Sequence, residues 1–175
     1  MMSDTLPNQC TIKQEVTLTG VGLHTGKNVT LTFKPAPANT GYIFKRIDMD
    51  GAPCIAADAN YVTNTQRGTN LEKDGVNIQT SEHVLAALVG LQVDNCILEL
   101  NASEPPIMDG SSKFFVEAIE KAGIITQDAV REEYVVTEII NYIDEETGSE
   151  ITILPADTYQ VTTMVDFGTK VLGTQ

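Results

Sequence analysis

The chain has 175 residues, 42% of them hydrophobic, enough to bury a sizeable core in one or two domains. Lys and Arg total 11 against 24 Asp and Glu, and the net charge of −13 opposes any broad approach to a phosphate backbone or an anionic membrane face, so no nucleic acid partner is expected. No run of about 18 apolar residues occurs and no charged stretch near the N-terminus leads into an apolar one, so stable membrane insertion is not expected and the cytoplasm is.

Along the chain, Val16 and Leu18, then Val29, Leu31 and Phe33, recur at period two and predict two half-buried strands around the loop Gly20-Val21-Gly22-Leu23-His24-Thr25-Gly26. Pro35 and Pro37 interrupt the pattern. Residues 42–47 then predict a strand, residues 61–71 at least one more, and Asp74-Gly75 closes a hairpin into residues 76–79. At Ser81 the period changes. Val84, Leu85, Leu88 and Leu91 have helical spacing, Ala86 and Ala87 favour a helix, and Thr80 or Ser81 can cap it, which predicts a helix over residues 82–90. A strand over residues 96–100 follows, with Cys96 as a small core hydrophobe. Cys10, Cys54 and Cys96 are an odd set without C-x-x-C spacing, so all three are expected to be reduced. After the loop Glu104-Pro105-Pro106-Ile107-Met108-Asp109-Gly110-Ser111, a second helix over about residues 112–122 would bury Phe114, Phe115, Ala118, Ile119 and Ala122 and stop at Gly123.

Residues 127–133 are polar and without apolar period, which places a boundary between a first α+β domain at 1–127 and a second at 128–175. Residues 134–137, 139–143, 151–154 and 161–167 are strand-like, with Thr147-Gly148 as a turn, and no helix follows to cover them. A sheet of that size without a covering layer does not normally fold alone, so the second domain reads as truncated. The fold class expected is α+β, a two-layer domain of sheet and helices followed by the first strands of a similar one.

Two histidines are present, His24 and His83. Glu82 and His83 open the first helix, and although neighbouring helical side chains diverge by about 100°, both tilt toward the N-terminus and can converge on a target beyond it. There the helix-end field favours the charge of Glu82 as a base, and neutral His83 suits a metal. The chemistry of such a pair is metal-assisted hydrolysis, in which zinc lowers the pKa of bound water to roughly 7 and a carboxylate takes the proton. One histidine does not make a zinc site, and position i+4 is Ala87, so the H-E-x-x-H pattern is absent. His24 lies in a glycine-bearing loop from which a polar side chain can reach a ligand. Asp109, before the second helix, can orient a partner. Taken singly, each feature also has a plain structural reading as a turn, a cap or a helix start. Gly20-Val21-Gly22 lacks the third glycine of a dinucleotide fingerprint.

Taken together, Thr19-Gly20-Val21-Gly22-Leu23-His24-Thr25-Gly26-Lys27, Pro35-Ala36-Pro37-Ala38-Asn39-Thr40-Gly41, Thr80-Ser81-Glu82-His83-Val84-Leu85-Ala86-Ala87-Leu88 and Pro106-Ile107-Met108-Asp109-Gly110-Ser111 resemble the UDP-3-O-acyl-N-acetylglucosamine deacetylases. Four segments in order are far more specific than any one. The resemblance implies hydrolysis of the N-acetyl group of a UDP-linked, 3-O-acylated glucosamine to acetate in lipid A synthesis, with zinc as cofactor. It implies Glu82 as general base, His83 as zinc ligand, Leu23, His24 and Thr25 along the substrate, and Asp109 in a supporting place. It also implies two similar α+β domains with the site between them.

Members of that family take two further zinc ligands, a histidine and an aspartate, and a histidine general acid from the second domain, whereas this chain has no third histidine. The 175-residue chain is therefore expected neither to hydrolyse substrate nor to hold zinc tightly by itself. Its uncovered strands after Tyr134 are expected to favour a homodimer. The competing classes are a non-catalytic or regulatory α+β module and an RNA-binding one, the latter opposed by the charge and the lack of a basic stripe.

Overall fold

The structure is a computed structural model that describes residues 7–171, 173 and 174. In chain order its elements are β1 (Asn8–Ile12), β2 (Val16–Val21), β3 (Asn28–Pro35), β4 (Tyr42–Arg46), β5 (Cys54–Ala56), β6 (Val62–Asn64), β7 (Asn70–Lys73), β8 (Val76–Ile78), α1 (Glu82–Gly90), β9 (Cys96–Leu100), α2 (Lys113–Ala122), β10 (Ile124–Val130), β11 (Ile140–Ile143) and β12 (Glu150–Ile153). They fall into two compact units that divide between Glu132 and Glu133. The class is α+β, as its sequence implies.

In the first unit a five-stranded sheet runs in the order β2-β3-β9-β4-β5, antiparallel except for the parallel pair β4 and β9. The chain between those two strands carries α1, the long excursion that a parallel pairing needs. Alternation gives the sheet two faces. Val29, Leu31 and Phe33 of β3, Phe44 of β4, and Cys96, Leu98 and Leu100 of β9 are fully buried on one. Against this face lie Val84, Ala87 and Leu88 of α1 and Phe115, Ala118, Ile119 and Ala122 of α2, with the Phe33 and Phe115 rings tilted at a centroid distance of 6.3 Å. On the other face Glu99 joins Lys34 at 2.7 Å and Lys45 at 3.0 Å across three neighbouring strands. Hydrogen bonding from Lys34 foremost, against the counter-pull of burial, holds the Glu99 carboxyl below its usual range.

Several local expectations need correction. Phe114 is 36% exposed, because α2 turns the stripe of Phe115, Ala118, Ile119 and Ala122 inward and residue 114 lies about 100° away from it. Neither Thr80 nor Ser81 caps α1 with its side chain. Ser81 Oγ instead donates to the Thr69 carbonyl at 2.9 Å, and Thr80 Oγ1 to Glu104. Residues 127–130 of the polar stretch belong to strand β10, paired antiparallel with β1, and residues 128–132 fall within the first unit. The half-buried residues of β10 are Gln127 and Ala129, and Gln127 donates to the Ala36 carbonyl and accepts from Asn95 Nδ2, so an amide network stands where an apolar period would mark a strand.

The second unit, Glu133–Gln175, contains the antiparallel hairpin β11–β12, in register from Ile140 opposite Ile153 to Ile143 opposite Glu150. Thr147-Gly148 lies in its connection, where Gly148 N–H donates to Asp144 O at 2.8 Å. Residues 134–137 and 161–167 do not form the strands expected of them; an isolated bridge from Asp166 to Thr174 is the pairing there. Ile140, Tyr142, Ile143, Ile151, Ile153 and Leu154 are all exposed, and without a packed face the flanking apolar runs gain little from extended pairing.

Candidate active site

Helix α1 begins at Glu82, and the segment before it decides where its first two side chains go. The backbone N–H of Thr69 donates to Glu82 Oε2 at 2.8 Å, while Ser81 N–H and Ser81 Oγ both donate to the Thr69 carbonyl. Gly68 beside it permits this approach: a Cβ at that position would lie 3.3 Å from Thr80 Oγ1 and 3.4 Å from Glu82 Oε1. The second carboxylate oxygen, Oε1, lies 3.9 Å from His83 Nε2, and both side chains are half-exposed. The two thus meet beyond the helix end, the one direction in which consecutive helical residues can converge.

The loop between β2 and β3 is closed by backbone bonds from Gly22 N–H to Lys27 O and from Gly26 N–H to Gly22 O, each 3.0 Å. It presents Leu23, which is exposed, and His24, whose Nε2 lies 3.1 Å from the carbonyl of Arg67. A carbonyl only accepts, so this contact requires the Nε2–H tautomer. His24 and Glu82 are therefore both tied to one short segment, residues 67–69. Thr25 points inward, its N–H and Oγ1 donating to Glu104 at 2.9 and 3.0 Å.

Asp109 is exposed and engaged locally: its Oδ1 accepts from Ser111 N–H at 3.0 Å and from Ser111 Oγ at 2.8 Å. Those Ser111 bonds, the side-chain one first, hold its carboxyl below the usual range. Its loop is fixed at both ends, through Ile107 N–H to Val21 O at 2.9 Å and Ser112 Oγ to His83 O at 2.8 Å. The second bond joins the start of α2 to the start of α1. Asp109 thus belongs to the frame around the Glu82–His83 pair, without a hydrogen bond to either.

One residue of the site escaped sequence reasoning. Glu104 is fully buried and accepts from the N–H of His24, shared between its two oxygens at 3.1 Å each, from Thr25, and from Thr80 Oγ1 at 3.0 Å. Burial pushes its carboxyl up, but the donors of Thr25, His24 and Thr80 together outweigh it and hold the group below its ordinary value. Its one signal in the sequence is an acidic residue directly before Pro105-Pro106, in a loop where carboxylates are usually solvated.

For zinc the fit is incomplete. His83 offers an imidazole and Glu82 a carboxylate, but among the described residues no group of three or more His, Cys, Asp or Glu side chains is gathered to hold a metal ion. Catalytic zinc usually takes three protein ligands.

The class defined by these observations is an α+β protein in which a carboxylate–imidazole pair at a helix start and a histidine loop converge on one segment. The chain belongs to the UDP-3-O-acyl N-acetylglycosamine deacetylase family (LpxC), whose model matches residues 9–175. It is 48% identical over 170 residues to the bifunctional enzyme LpxC/FabZ of Chlorobaculum tepidum, covering 97% of this chain and 36% of that protein. It is 44% identical to the bifunctional enzyme LpxC/FabZ of Bacteroides thetaiotaomicron, covering 95% and 36% of the two chains. To the UDP-3-O-acyl-N-acetylglucosamine deacetylase of Chromohalobacter salexigens it is also 44% identical, covering 95% of this chain and 54% of that one. The chain thus spans between about a third and about half of the length of these curated relatives.

Proposed function

We propose that this chain supplies the first part of a zinc-dependent UDP-3-O-acyl-N-acetylglucosamine deacetylase of lipid A synthesis, an amide hydrolase of the cytoplasm that releases acetate. The observation that carries the reading is the Glu82–His83 pair at the start of α1, with one carboxylate oxygen held by Thr69 N–H and the other turned toward the imidazole. Glu82 acts as general base and receives the proton of the attacking water at Oε1, while Oε2 remains fixed. His83 is one ligand of the metal. Zinc, when bound, lowers the pKa of water to roughly 7 and polarises the amide carbonyl. Leu23 and His24 line the substrate, Thr25 belongs to the same substrate-side loop with its side chain turned to Glu104, and Asp109 supports the frame through its loop. No helix among the described residues is long and apolar enough to cross a membrane.

Because no third His, Cys, Asp or Glu side chain joins Glu82 and His83 among the described residues, the 175-residue chain alone binds zinc weakly and does not turn over substrate. The exposed strands of β11–β12 pair with a second copy to give a homodimer, which light scattering coupled to size exclusion tests; a monomer at every concentration would refute it. The functional reading is tested by zinc content and acetate release from the UDP-acyl-sugar, comparing this chain with a form extended to the length of its relatives. Zinc and activity in the extended form alone, lost in Glu82→Ala and His83→Ala, support it. An inactive extended form overturns it.

A further inference from the structure

The chemistry proposed above leaves one buried ionisable group without a role. Glu104 is fully buried and forms no ion pair among the described residues, yet its hydrogen-bond donors all come from the segments that build the candidate site. We propose that Glu104 is the positioning residue of this site: its carboxylate sets the His24–Thr25 loop against Thr80, and so against the start of α1 that carries Glu82 and His83. This inference rests on the functional reading above and assigns it a further residue.

The geometry carries the case in three ways. Two of the donors are the backbone N–H groups of His24 and Thr25, so the carboxylate fixes the path of the loop rather than the rotamer of a side chain. Gly22 lets the loop close over it, since a Cβ there would stand 2.6 Å from Glu104 Oε2 and 2.4 Å from Thr25 Oγ1. Thr80, two residues before Glu82, is held at φ 53°, a left-handed conformation unfavourable for threonine, while its Oγ1 donates to Glu104 and its N–H to Asn70 Oδ1. From His24 the connection continues through its ring to Arg67 O, and from Thr69 N–H to Glu82. Loop, 67–69 segment and helix start are thereby joined in one closed set of bonds.

A carboxylate suits this place for a physical reason. The donors converge on one point, and an ionised acceptor binds them more strongly and at shorter range than a neutral one. A buried charge is seldom the most stable choice, because an apolar side chain of similar volume often does as well. What the charge adds is definition of geometry. Ionisation at neutral pH is consistent with the balance at Glu104, where the donors outweigh burial.

The test is Glu104→Met, similar in size and without an acceptor, beside Glu104→Gln, which keeps one carbonyl oxygen. Amide hydrogen exchange at His24 and Thr25 in the 175-residue chain should rise about tenfold or more in E104M and less in E104Q, with β9 amides unchanged. In the extended, zinc-loaded form, KM should rise in the order wild type, E104Q, E104M by up to about tenfold, with kcat changing less. Leu88→Ala, a core truncation that touches none of these bonds, is the stability control. Wild-type exchange at His24 and Thr25 in E104M would overturn the proposal, as would an equal rise in KM in L88A at matched loss of Tm. Where E104M does not fold, Gly22→Ala displaces the same carboxylate, and unchanged exchange in that variant overturns the proposal equally. An inactive extended wild type would overturn the functional reading alone, while amide exchange still decides whether Glu104 sets the loop.

Discussion

The carboxylate of Glu82 accepts a 2.8 Å hydrogen bond from the backbone N–H of Thr69, thirteen residues earlier in the chain. One oxygen is thereby immobilised and the other left facing His83 Nε2 at 3.9 Å. A base held in this way loses less orientation when it takes a proton than one on a free side chain.

Removing the proposed base should affect chemistry far more than stability. Glu82→Ala in the extended form is expected to lower acetate release by about 10²–10⁴-fold, the usual contribution of a positioned base. Because the variant also strips the acceptor from the Thr69 N–H, a loss of about 1–3 kcal/mol in stability is expected beside it. Acetate release and a circular-dichroism melt check both, and a variant that keeps most of its rate would remove Glu82 from the role.

His83→Ala should act on the metal. In the proposed role a ligand is lost rather than an outer partner, so zinc affinity of the extended form is expected to fall by more than the roughly 10–100-fold that outer-partner mutations cost. Competition with a chromophoric chelator measures it. Wild-type affinity in H83A would show that the metal binds elsewhere.

Glu104 should leave a signature in acid. Its carboxyl lies below its ordinary value of 4.5 in the folded chain, so unfolding is accompanied by proton uptake once the pH approaches that value. Its stabilisation is full above the ordinary value and disappears as pH falls through the lower, folded one. Wild type should therefore lose stability more steeply below pH 4.5 than Glu104→Gln, the other carboxylates being common to both. Denaturant melts over a pH series test this, and parallel curves would refute it.

Adjacent phenylalanines should differ sharply. Phe115 is fully buried against Phe33, and Phe115→Ala is expected to cost about 3–5 kcal/mol. Phe114, 36% exposed, should cost about 1 kcal/mol or less on the same substitution. Urea unfolding of the two variants measures the difference, and similar losses would mean that α2 presents another face to the sheet.

Where residues speak through local periodicity, structure and sequence agree. α1 and β9 occupy residues 82–90 and 96–100 as their spacing implies, because a switch from helical to alternating burial is written in neighbouring side chains. The hairpin at Asp74-Gly75 was legible for the same reason, since its turn chemistry is local. β10 was not, because one of its two half-buried side chains is the amide of Gln127. Nor was the exposure of Phe114, which depends on which stripe of α2 the sheet selects.

By itself the sequence determined the α+β class, the placing of Glu82 beside His83 at a helix start, and membership of the family through four ordered motifs. All of these are properties of residues near one another in the chain. Tertiary structure alone decided that His24 reaches Arg67 across 43 residues and that Glu104 meets the N–H of His24 across 80. Such contacts depend on how strands and loops are stacked, and a polar residue whose partners are backbone groups far along the chain has no hydrophobic period to announce it.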